Sequence, residues 1–213
     1  MGAAGDKPAD VAADFDKAAV EAEIRQFVQE ISTELAGDNF AVMLDRTRFE
    51  TDEQKELAQS MIHGVESVVK LNKAAEAKFG KGLAALASES KLPQIQAMAP
   101  MVQQFAGPEM LDKMRQADVD PATVRIEATS ATEGSVYDTS DKPDKPSSVR
   151  KVDGKWWMIA KSDEMAAAAM VAPMLAKLGT LCEDLRGKLE SGAFATADDL
   201  LTAFAQGMMT MMG

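Results

Sequence analysis

Near residue 121 the apolar residues of this chain change their spacing from every third or fourth position to every second, and near residue 161 they change back. Helical repeats on both sides of a short strand-like repeat point to a chain that is mainly helix and carries one small sheet. Thr123–Thr129 alternates: Val124, Ile126 and Ala128 face one way, Thr123, Arg125, Glu127 and Thr129 the other, as in a half-buried strand. Residues 133–138 read as a second, weaker strand. The repeat Asp-Lys-Pro-Asp-Lys-Pro at 141–146 reads as a solvated loop, because proline has no N–H to give to a ladder. Residues 148–152 and 155–161 form a hairpin about Asp153-Gly154, a pair suited to a type I′ turn. The fold class is therefore α+β and mainly helical: an antiparallel β-meander of about four strands over 121–161, packed on helices, with a C-terminal helical extension. The organisation implied is a linker over 1–9, a helical layer plus sheet over 10–161, and the extension over 162–213.

The helices are marked by stripes and caps. Val20, Ile24, Phe27, Val28, Ile31 and Leu35 place a helix over 10–36, closed by Gly37 as a left-handed cap. Residues 39–45 read as a short apolar turn or helix. Thr51-Asp52-Glu53-Gln54 has capping-box spacing and opens a long helix to about Phe79, ended by Gly80 and Gly82. Shorter helices follow near 83–90, 94–105 and 108–116. The Ala-rich stretch 163–190 is helical, with Pro173 expected to kink or split it. Thr196-Ala197-Asp198-Asp199 starts a last helix, its acids suited to the positive end of the helix dipole.

Charge removes whole classes of partner. With 23 Lys and Arg against 34 Asp and Glu the net charge is −11, and the cations are scattered among acids. Such a surface repels phosphate backbones and anionic lipid, so neither nucleic acid nor a membrane surface is expected as a partner. No run of 18 apolar residues exists to span a bilayer. One His and one Cys give no metal-ligand set, and no cofactor motif is present. Cys182 falls among Leu178, Leu181 and Leu185, a setting for a buried structural thiol. The Gly/Pro/Asp run at residues 2–10 resembles the linker left after an export signal, and the reading leans to an extracytoplasmic protein, with a cytoplasmic one as the alternative.

Two stretches resemble nuclear-transport-factor-2-like domains. Phe27-Val28 followed by Ala36-Gly37-Asp38-Asn39-Phe40-Ala41 looks like their opening, and Val149-Arg150-Lys151-Val152-Asp153-Gly154-Lys155-Trp156 looks like their closing strands. The likeness spans about a third of the chain. It implies an α+β, cystatin-like cone, in which helices pack into the concave face of a curved antiparallel sheet and leave a pocket. Members include ketosteroid-isomerase-like enzymes, ligand-binding modules and exported proteins. The chain departs from the pattern in reading as helix throughout 51–116 and in its last 50 residues, which such a domain does not need.

The resemblance places Asp45, Arg46 and Arg48 at the cone mouth, as an Asp base or an Arg anchor for an anionic ligand. A local salt bridge and cap is the commoner role of such a cluster. His63, with Glu66 three residues on, could serve as an oriented acid–base or be an ordinary exposed His–Glu pair. An isomerase-type oxyanion site needs a tyrosine and a protonated second acid beside the base. The chain has one tyrosine, Tyr137, and no recognisable set of such partners. Trp156 and Trp157, being adjacent on a strand, face opposite sides of the sheet. Trp156 belongs with Met158 and Ala160 against the N-terminal helices. Trp157 and Ile159 form a candidate interface, to be covered by the C-terminal helices or by a second copy in a homodimer through the sheet face. Fifteen methionines, ending in Met208-Met209-Thr210-Met211-Met212, read as core filling and a fraying helix end.

The function these features imply is non-enzymatic: a binding or interaction module for a protein or an apolar small molecule. It would use the groove between helices and sheet or the Met-rich tail. The alternatives are a small-molecule enzyme with a cone pocket near Asp45, His63, Tyr137 and Trp156, and a structural or assembly protein acting through its helical surface.

Overall fold

The computed structural model describes residues 15–109, 112, 124–137, 146–160 and 162–212. Among the described residues, seven helices and five strands follow in the order α1 (Lys17–Ala36), α2 (Val42–Asp45), β1 (Thr47–Arg48), α3 (Asp52–Phe79), α4 (Leu83–Glu89), α5 (Pro93–Ala106), β2 (Arg125–Ala128), β3 (Glu133–Tyr137), β4 (Ser147–Val152), β5 (Lys155–Ile159), α6 (Ser162–Glu190) and α7 (Ala197–Met212). The linker over 1–9 and most of the helix expected over 108–116 lie outside the described residues.

The four-stranded meander is present, in the order β2-β3-β4-β5 and antiparallel throughout. It turns at Asp153 (φ 52°) and Gly154 (φ 77°), the two positive φ values a type I′ turn requires. The sheet has one more strand than the sequence pattern shows. β1, only two residues long, pairs in parallel with β5, so the sheet is mixed. Among the bonds that hold it, Met158 N–H donates to the Arg46 carbonyl at 2.8 Å and Ala160 N–H to the Arg48 carbonyl at 3.1 Å. At the opposite edge, side chains of α1 occupy free backbone groups of β2. Ala128 N–H donates to the Glu21 carboxylate, and Arg25 donates to the Val124 carbonyl, each at 3.3 Å. A strand edge so covered is a poor template for another chain.

One face of the sheet carries Ile126, Ala128, Val136, Val149 and Trp156, all buried together with α1 residues Ile24, Phe27, Val28 and Ile31. The same buried cluster continues through Val68, Val69 and Leu71 of α3 to Leu178, Cys182 and Leu185 of α6 and Leu200, Leu201 and Phe204 of α7. The capping box at Thr51 forms in modified shape: its hydroxyl accepts from Gln54 N–H at 3.2 Å, while the Gln54 side chain reaches one residue further, to Glu50 N–H at 2.8 Å. At the end of α1 the left-handed residue is Asp38 (φ 62°), while Gly37 keeps φ −83°.

α6 stays one helix through Pro173 and runs beside α3 in the same direction: Gly64 meets Leu175, and the Lys78 ammonium reaches the Leu189 carbonyl. The pair is very close. A Cβ on Gly64 would lie 2.6 Å from the Leu175 carbonyl oxygen, and one on Gly179 would lie 3.1 Å from the Gly64 Cα. α7 folds back after a reciprocal cap, in which Thr196 N–H donates to Asp199 at 2.8 Å and Asp199 N–H donates to the Thr196 hydroxyl at 3.2 Å. Those bonds hold the Asp199 carboxyl below its ordinary range. Cys182 is fully buried, and burial pushes its thiol up to about 12, so it is an inert core group.

Candidate functional site

Three clefts border β5 and its parallel partner β1, and between them they take up most of the residues singled out in the sequence. The first lies between α1 and the hairpin, about 300 Å³, and is lined by Glu23, Phe27, Glu30, Arg46, Lys151 and Trp156. Four of its five charged side chains are matched internally, and Lys155, also in the wall, has no ion-pair partner among the described residues. Glu23 accepts from the Lys151 ammonium and, at 3.0 Å, from the Trp156 indole N–H; Glu30 pairs with Arg46 at 3.3 Å. The Lys151 bond, then the Trp156 bond, hold the Glu23 carboxyl below its usual range. Trp156 is buried here against α1, as its strand position implies.

The second cleft, about 560 Å³, opens on the far side of the sheet between β1 and the start of α3. Arg48, Phe49, Glu50, Asp52, Lys55 and Trp157 line it. The Arg48 guanidinium sits 4.9 Å from the centre of the Trp157 ring, a cation–π contact. Arg48 and Lys55 have no carboxylate within ion-pair distance among the described residues. Glu50 is engaged instead by the Ser162 hydroxyl, at 2.9 Å. Trp157 is half-buried. Arg48 covers one face of its ring. α6 follows α3 because their glycines let the two backbones approach.

The third cleft is apolar. Between α3, α6 and the end of the sheet, Met43, Phe49, Met61, Ile62, Met158 and Met165 enclose about 270 Å³, with Thr47 and Ser147 as the polar residues of its wall. Ile159 also lines it. The methionines come from α2, α3, β5 and α6. Thr47 and Phe49 belong to the walls of both the second and third clefts.

The remaining candidates are dispersed. His63 meets Glu183 of α6 at 3.7 Å, while Glu66 pairs with Lys70. Tyr137 lies on the far face of the sheet, its hydroxyl donating to Glu127 at 2.9 Å and its ring 3.8 Å from the Arg125 guanidinium. The Glu127 bond holds the phenol above its ordinary range. Asp45 ends α2. His63, Tyr137 and Trp156 thus engage separate partners on separate elements and do not converge. In the C-terminal tail Met208 is buried and Met211 packs on the core, while Met209 is exposed. Met170, Val171 and Met174 of α6 are exposed as well. Among the described residues no group of three or more His, Cys, Asp or Glu side chains could hold a metal ion, and no helix is long and apolar enough to cross a membrane.

The fold and clefts define an α+β protein with an apolar cleft under the end of its sheet and charged clefts nearby. No family model, curated protein or solved structure matches the chain.

Proposed function

We propose that the protein is a non-enzymatic binding module that takes a small apolar molecule into the cleft between α3, α6 and the end of the sheet. The observation that carries this reading is the lining. Four methionines and Phe49 face a volume of about 270 Å³ with few polar groups, the composition of a site that recognises shape and apolar surface. Methionine has three rotatable bonds and a polarisable sulfur, so such a wall repacks around different ligands at little cost. A helix laid on one face of an antiparallel meander, with a cleft at the end of the sheet, also supports the nuclear-transport-factor-2-like cone as the layout. The dispersal of His63, Tyr137 and Trp156 favours binding over catalysis, because a general acid–base site needs its groups within hydrogen-bond reach of one reacting atom.

The test is a titration of the full chain with decanol, a neutral chain alcohol, followed by calorimetry. Saturable binding to the wild type is expected, with loss in Ala58→Phe, which projects a ring into the cleft. The helical circular-dichroism signal should be the same in both. Absence of saturable binding, or equal binding by the filled variant, would refute the assignment.

A further inference from the structure

We propose that the ligand is an amphipathic anion: an apolar chain held in the methionine cleft, ending in a single carboxylate that Arg48 and Lys55 bind in the adjoining cleft. This rests on the apolar-cleft reading above and adds the identity of the head group.

The argument begins with the cations. In a chain of net charge −11, acids outnumber bases, and the described cations are mostly taken up. Arg46 is paired with Glu30, Lys73 with Asp38, Arg150 with Glu133 and Lys151 with Glu23. Arg48 and Lys55 have no such partner among the described residues, yet both line one cleft. Arg48 is also held in place. Its guanidinium carbon lies 4.9 Å from the centre of the Trp157 ring, a cation–π contact that restrains the side chain at the cleft, and a guanidinium can bind a carboxylate through two parallel bonds.

Position joins this head site to the tail site. Thr47 and Phe49 line both clefts, so a chain leaving the methionine cleft past Phe49 arrives beside Arg48. The apolar volume equals the liquid volume of roughly nine waters, which suits a medium-length alkyl chain better than a bulky ring system. Glu50 and Asp52 border the head cleft and set its selectivity. Two nearby carboxylates repel a dianion more strongly than a monoanion, so a carboxylate is favoured over a phosphate ester.

The experiment compares decanoate, decanol and decyl phosphate on the full chain at pH 8, with Arg48→Met and Lys55→Met as variants. Decanoate should bind roughly fivefold tighter than decanol, the scale of a partly exposed ion pair, and tighter than decyl phosphate. Added salt should erode that margin. In Arg48→Met the margin should vanish while decanol affinity stays the same, and Lys55→Met should reduce it. If decanol binds but decanoate binds no tighter, or if the margin survives in both variants, the head-group assignment is overturned and the apolar cleft stands. If neither decanol nor decanoate binds, the cleft reading falls and this proposal with it.

Discussion

Trp156 and Trp157 are neighbours in sequence and opposites in surroundings. Trp156 is buried against α1, its indole N–H is taken by Glu23, and Glu23 is itself tied to Lys151. Trp157 is half-buried, its ring is covered by the Arg48 guanidinium, and its indole nitrogen has no hydrogen-bond partner. On the first side Glu23, Glu30, Arg46 and Lys151 are answered by one another, and Lys155 alone among the cleft's charges is left over. On the second, Arg48 and Lys55 have no ion-pair partner among the described residues. A groove whose ions are paired internally loses those contacts when a ligand competes for them, while a groove with free cations gains contacts on binding. The side of β5 that looks less finished as structure is therefore the better place for a ligand.

The largest expected break in this comparison comes from truncating each tryptophan. Trp156→Ala removes a buried aromatic side chain and one of the two hydrogen bonds to Glu23, and should cost about 3–5 kcal/mol in urea unfolding. Trp157→Ala removes a half-buried ring and should cost about 1 kcal/mol or less, since surface substitutions away from a packed core are usually mild. Equal losses would mean that the two environments are energetically alike. Next in size is Gly64→Ala. Its Cβ would meet the Leu175 carbonyl, so α6 must move off α3, at about 1–3 kcal/mol. Because α6 also lines the methionine cleft through Met165, this variant should weaken decanol binding while leaving the Trp156 environment intact. A change in Trp156 fluorescence with unchanged decanol affinity would contradict that separation.

What could be read from the sequence was what local chemistry dictates. Asp153-Gly154 fixed the hairpin because its two positive φ values are cheap only for such residues, and Thr51 and Thr196 marked helix starts through hydroxyls that reach the next turn. β1 was not legible: two residues paired in parallel with a strand more than a hundred positions later leave no local signature. The left-handed residue after α1 fell on Asp38 instead of Gly37, an exchange that aspartate tolerates. Arg46, Arg48, Trp156, Trp157 and Ile159 were visible as candidates, and each borders a cleft. The methionine cleft was not visible, because Met43, Met61, Met158 and Met165 are brought together only by the packing of four elements. The course of α6 was not legible either, because the close approach of Gly64 and Gly179 that decides it joins residues more than a hundred positions apart.

The smallest effect is electrostatic and concerns Glu23 alone. Its carboxyl is held below the ordinary range by the Lys151 and Trp156 hydrogen bonds, so in the folded protein it stays ionised to lower pH than in the unfolded chain. The sign follows from linkage. The stabilisation is complete above the unfolded carboxyl's range and is lost as pH falls through the folded value. Glu23 is about half exposed (48%), so solvent screens the pair and the contribution should be below about 1 kcal/mol. Urea midpoints taken between about pH 6 and pH 3 should decline for wild type and for Glu23→Gln alike, since many other carboxylates titrate there, but less steeply for the variant. Arg48→Met should leave the wild-type slope in place, because no carboxylate among the described residues is paired with Arg48. If Glu23→Gln and wild type run parallel into acid, the pairing around Trp156 adds nothing beyond packing, and the contrast between the two sides of β5 rests on burial alone.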